Sequence, residues 1–110
     1  MARVLVLNKG PHDYSDAELY GDLVFCTTGS LKRDDIAQMY REMEPCIETS
    51  GPDDYILLTS LSSLCSVACA MFACKHGRLN LLIYDNGAYI NRSITLDDNA
   101  TTHKRHQILR

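Results

Sequence analysis

Hydroxyl side chains crowd one short stretch of this chain. Thr59, Ser60, Ser62 and Ser63 stand in TSLSS, directly ahead of an apolar run. At the start of a helix such hydroxyls can accept from the free N–H groups of the first turn and act as caps. The same position can hold a phosphate or carboxylate, because those N–H groups and the helix dipole carry partial positive charge. Near the N-terminus, Asn8, Lys9, Gly10 and His12 follow a short aliphatic run, and Lys9 would add a full charge. Thr27 and Thr28 end a second such run. If these loops meet, Asn8, Lys9, Gly10, His12, Thr28, Thr59, Ser60, Ser62 and Ser63 form one crevice for an anion or nucleotide. The plainer reading is that the serines only cap a helix and fill a turn. A hydrolytic reading would take Ser60 or Ser62 as nucleophile, His12 as base and Asp13 or Asp16 to orient it.

The motifs that would make such chemistry specific are missing. The first strand is followed by NKGPHDY and not by GxGxxG, and the chain has neither a GxxxxGK[ST] loop nor a GxSxG elbow. No residue is therefore assigned as catalytic, and no cofactor is implied. Five cysteines are an odd number, and Cys65, Cys69 and Cys74 fall on one predicted helix without a CxxC. They read as core-filling, reduced thiols whose pKa is raised by apolar neighbours, in a cytosolic setting. His103 and His106 have no second ligand pair at zinc spacing, so no metal site is assigned.

The elements that must position these groups follow from the apolar pattern. Arg3–Asn8 and Leu23–Thr27 are strands, with a short helical turn between them capped by Ser15 and stopped at Gly21. A helix is expected over residues 33–43, with Asp34 and Asp35 in its first turn and Ile36, Met39, Tyr40 and Met43 as its stripe. Pro45 should kink that helix or begin a separate turn. Tyr55–Leu58 is a strand apolar on both faces, which suits a covered parallel sheet. Leu64–Lys75 is a helix with little that is polar, and Gly77 is its C-cap. Asn80–Tyr84 is a fourth strand. Asn86-Gly87 favours a type I′ hairpin into an alternating fifth strand over residues 88–96. The reading is one Rossmann-like or flavodoxin-like α/β domain with three layers. Its five strands are mostly parallel, in the order 2-1-3-4-5, with the fifth antiparallel. The thin point is the first connection, residues 9–22.

At 110 residues and 45% hydrophobic composition this is one domain, residues 1–96, with a polar, basic tail over residues 97–110. The tail, ending HKRHQILR, could be an electrostatic arm for an acidic partner or simply a solvated terminus. A formal net charge of −3 argues against nucleic-acid binding elsewhere. The N-terminal run is too short for a signal segment, and the most apolar helix is too short to span a membrane, so a cytoplasmic location is expected.

Two segments, LVLNKGPHDYSDAELYGDLVFCTTG and GPDDYILLTSLSSLCSVACAMFACKHGRLNLLIYD, resemble small bacteriophage-encoded α/β proteins of uncharacterised function, over residues 3–96. The resemblance implies expression in an infected bacterial cytoplasm. It also implies an accessory role, such as binding a host protein or capturing a small signalling ligand. It carries over no functional residue. The leading expectation is a non-enzymatic protein that binds a protein partner, either a host protein or a second copy. A nucleotide- or anion-binding module is the alternative, and a small hydrolase ranks third.

Overall fold

The computed structural model describes residues 2–96; the tail over residues 97–110, and the reading of it as an electrostatic arm, lie outside the described residues. Strand β1 (Arg3–Lys9) lies inside the sheet. Val4, Leu5, Val6 and Leu7 are completely buried, so the strand is covered on both faces. It pairs in parallel with β2 (Asp22–Thr28) on one side and with β3 (Tyr55–Leu57) on the other. Strand β4 (Arg78–Asp85) extends the parallel sheet beyond β3, and β5 (Ala88–Thr95) returns antiparallel along β4. The order is β2-β1-β3-β4-β5, as the sequence predicts. Asn86 and Gly87 both take positive φ, 51° and 87°, which a type I′ turn demands of its two central residues.

Chain direction decides which face each connection covers. The chain steps from β1 to β2 one way, then crosses back over β1 to β3 and on to β4. Right-handed crossovers in opposite directions lie on opposite faces. One face carries helices α1 (Ile36–Glu48) and α2 (Ser62–His76), whose Met39, Met43, Cys46, Ile47, Leu64, Ala68 and Phe72 close over Leu5, Leu7 and Ile56. Among the described residues the other carries only a 3-10 helix (Ser15–Tyr20), where Tyr14, Ala17 and Tyr20 cover Val4, Val6, Leu57 and Leu82. The first crossover is as thin as expected. Gly21 ends it because nothing larger fits: a Cβ there would stand 2.2 Å from the Ala2 carbonyl oxygen.

Several local expectations are corrected. Tyr14, not Ser15, is the N-cap of the 3-10 helix, and the Ser15 amide donates to Asp13 Oδ1 at 2.9 Å. Helix α1 starts at Ile36, with Asp35 as its N-cap accepting from the Gln38 amide at 3.1 Å. It runs through Pro45 to Glu48 without breaking. Arg41 and Pro45 are both exposed, so the Arg41 carbonyl that loses its partner can be met by water. Beyond Pro45, Lys75 Nζ donates to the carbonyls of Ile47 and Glu48, and the Thr49 hydroxyl lies 3.2 Å from those of Pro45 and Cys46. These bonds hold a helix end that propensity alone would lose. Ile36 and Tyr40, read as core stripe, are half-exposed at 49% each.

Helix α2 begins at Ser62, with Ser63 in its first turn and Ser60 just outside it. Its N-cap is Leu61, with no side-chain cap bond, so Ser60, Ser62 and Ser63 do not cap it. Gly77 closes the helix as expected, donating its amide to the Ala73 carbonyl at 2.9 Å. The cysteines are not all free. Cys26 of β2 and Cys46 of α1 are paired as a disulfide, with Cα atoms 5.5 Å apart. Packing of α1 on β2 brings them together across twenty residues of sequence. Cys65 and Cys69 are half-buried and Cys74 is exposed. Burial pushes the Cys65 and Cys69 thiols up, as read from their neighbours.

Candidate functional site

Two concavities stand out, and they differ in chemistry. The first is a polar cleft of about 600 Å³ at the carboxyl end of the sheet. His12, Asp13 and Asp16 enter it from the connection after β1, Thr59 from the exit of β3, and Tyr84 and Tyr89 from the β4–β5 hairpin. The hairpin register sets Tyr84 opposite Tyr89, so both rings fall on one face, 5.2 Å apart and nearly edge-on. The Tyr20 hydroxyl donates to the Tyr89 carbonyl at 3.0 Å, which ties the 3-10 helix to the hairpin.

The residues expected to meet here divide. His12 and Thr59 line the cleft. Asn8 instead ties β1 to β2: its amide donates to the Gly29 carbonyl, and its oxygen lies 3.0 Å from the Thr27 hydroxyl. Lys9 lies over the Phe25 ring, 5.1 Å from its centroid. The Gly10 amide donates to the Tyr14 hydroxyl at 3.2 Å. Thr28 and Ser62 are exposed. Ser60 and Ser63 hold buried hydroxyls which, like that of Thr59, have no hydrogen-bond partner. No hydrogen bond joins His12 to Ser60 or Ser62 among the described residues. Tyr84 and Tyr89 are the cleft residues that the sequence reading missed. The Asn-Gly turn carried the signal, because a two-residue hairpin fixes residue 84 opposite residue 89.

Electrostatically the cleft is negative. The Ser15 backbone N–H, and after it the Ser15 hydroxyl, hold the Asp13 carboxyl below its usual range. Burial pushes the Tyr89 phenol up, and Tyr14, Tyr84, Asp16 and Asp13 add to this. Among the described residues no set of three His, Cys, Asp or Glu side chains converges on a point where a metal ion could be held.

The second concavity is an apolar groove of about 550 Å³ between α1 and α2. Ile36, Tyr40 and Ile47 form one wall and Val67, Ala70, Met71 and Cys74 the other, with Glu44, Glu48 and Lys75 at the rim. It exists because α2 is apolar on more of its circumference than the sheet can cover. Leu64, Ala68 and Phe72 face the sheet, which leaves Val67, Ala70 and Met71 for the outer side.

A serine–histidine contact lies at the opposite end of the sheet. Ser50 Oγ stands 2.8 Å from His76 Nε2 and donates to the Ile47 carbonyl at 2.5 Å. That carbonyl takes the only hydroxyl proton, so His76 is the donor to Ser50 and cannot act as its base. Ser50 is also 7% exposed, which closes it to a substrate. The pair joins the end of α2 to the end of α1 and is structural.

Among the described residues no helix is long and apolar enough to cross a membrane. No curated protein and no solved structure matches the chain. A family model does, over residues 6–97, from within β1 through β5, and the chain belongs to the family of Phage Pam3 gp32-like proteins.

Proposed function

We propose that this phage protein is a non-enzymatic accessory factor, working in the infected bacterial cytoplasm, that binds a protein partner through the α1–α2 groove. The observation that carries the reading is the half-exposed pair Ile36 and Tyr40 facing the unpartnered side of α2 across an open, apolar trough. Two parallel ridges with a trough between them suit an amphipathic helix laid along the groove, reading it with aliphatic side chains one turn apart. The rim favours a partner helix with a basic flank. Glu44 and Glu48 are exposed carboxylates, whereas the Lys75 ammonium is already committed to the carbonyls of Ile47 and Glu48.

Affinity capture from bacterial lysate with the wild-type chain and with Met71→Arg tests this. Met71 lies in the groove wall, so an arginine there should block a docked helix without unfolding the sheet. The expected result is one protein retained by the wild type and lost from the variant. Its binding, remeasured with purified components, should weaken by about a hundredfold. A variant that keeps the same partner at the same affinity, with unchanged circular dichroism, would remove the groove from the account.

A further inference from the structure

We propose that the polar cleft at the carboxyl end of the sheet is a receptor for an organic cation, an alkylammonium or guanidinium group. This goes beyond the groove reading and does not depend on it. The cleft combines three features that such a group needs. Asp13 and Asp16 supply two carboxylates, and among the described residues no lysine or arginine lines the cleft to neutralise them. Tyr84 and Tyr89 supply two aromatic rings set nearly edge-on at 5.2 Å, so a cation against one face is bounded by the other ring. Cations over tyrosine faces are held by the ring quadrupole, more strongly when carboxylates flank the site and water is reduced. The third feature is enclosure: the carboxylates, the rings and Thr59 come from three separate segments that converge on one concavity of about 600 Å³.

The charge also speaks for a cation over the anion expected at this end of the sheet. A phosphate placed in the cleft would meet Asp13 and Asp16, while Lys9, the nearest candidate counter-charge in the sequence, is held over Phe25. The Asp13 carboxylate is braced by the Ser15 amide at 2.9 Å, so it is fixed in place before any ligand arrives. The Tyr20 bond to the Tyr89 carbonyl braces the opposite wall. An ammonium or guanidinium could belong to a free polyamine or to a lysine or arginine side chain of a bound protein. The recognition chemistry is the same in both.

Titration followed by amide chemical shifts tests the proposal with three probes: butane-1,4-diamine, N-acetyl-arginine amide and inorganic phosphate. Both cations should give saturable shifts confined to residues 12–16, 59 and 84–89, and phosphate should give none there. Asp16→Asn and Tyr84→Ala should each weaken cation binding by about tenfold or more. Asp34→Asn, which removes an equal charge from α1's approach, should leave it unchanged. Tighter binding of the diamine assigns the site to a free polyamine, and tighter binding of the arginine derivative assigns it to a protein side chain. Absence of saturable shifts at millimolar cation would overturn the proposal. So would an equal loss of binding in Asp34→Asn, which would reduce it to bulk charge, or tight binding of phosphate at the same residues.

Discussion

The two ends of strand β3 handle polar groups in opposite ways. At the amino end they are paired. Asp54, 3% exposed, accepts from the Arg3 amide at 2.8 Å, from the Arg3 guanidinium at 3.2 and 3.3 Å, and from the Gly51 amide at 2.9 Å. Asn80, equally buried, donates to the carbonyls of Pro52 and Asp54. Ser50 and His76 complete the set, and the one exception among the described residues is Arg78 Nε, buried without a partner. At the carboxyl end three neighbouring hydroxyls, of Thr59, Ser60 and Ser63, are buried and unpaired. A paired polar group fixes one conformation and contributes stability, while a buried unpaired one costs stability. The comparison separates a clamp from a site on the same strands, and fits the rule that ligands of open α/β sheets sit beyond the strands' carboxyl ends.

The sharpest way to break this comparison is at Asp54. Replacing it with alanine removes four hydrogen bonds and leaves the Arg3 guanidinium, bonded otherwise only to the Thr49 carbonyl, without its counter-charge. Asp54 is buried while Arg3 is about one-third exposed, so solvent partly compensates the stranded guanidinium and the loss is about 2 to 3 kcal/mol. Urea unfolding should show the midpoint falling accordingly, with the slope unchanged. A loss under about 1 kcal/mol would mean that the amino end is no clamp.

A smaller effect comes from His76. Burial lowers its pKa, the Lys75 charge lowers it further, and Asp54 opposes both. A histidine whose folded pKa lies below its unfolded value contributes stability that is fully present above the unfolded pKa, near 6.5. That stability is lost as pH falls from there through the folded pKa. The wild type should therefore unfold at progressively lower urea concentration as pH drops below about 6.5. His76→Gln should show a flatter profile across that window. Parallel profiles would detach His76 from the clamp.

How much of this was legible follows from the range of each signal. The sheet was readable because β1 is apolar on both faces, and because the strand–helix–strand pattern around α2 admits one handedness of crossover. The Asn-Gly hairpin was readable because its chemistry is local. Helix α1 continues past Pro45 because of Lys75, thirty residues on, and no local rule could see that bond. Cys26 and Cys46 meet only once α1 lies on β2, and Ser50 meets His76 only once both helix ends converge. The serines misled because three hydroxyls near a helix start satisfy the capping pattern, yet Leu61 took the N-cap position. For the cleft, His12 and Thr59 were visible as residues at strand exits. The two tyrosines required the register of β4 on β5, which the Asn-Gly turn fixes.

The finest test is at Ser63, where the comparison predicts almost no loss. Its hydroxyl is buried and unpaired, so the folded state holds a desolvated polar atom that the unfolded chain exposes to water. Ser63→Ala removes that atom while keeping the Cβ, and alanine is the better helix former in the first turn of α2. The two terms share a sign, and the variant should match the wild type or exceed it by about 0.5 kcal/mol. Equilibrium urea unfolding with matched slopes resolves a difference of that size. A loss of about 1 kcal/mol would reveal that the hydroxyl is bonded in solution, to water or to a neighbouring carbonyl. The carboxyl end would then be as fully paired as the amino end, and the contrast between clamp and site would rest on the shape and charge of the cleft alone.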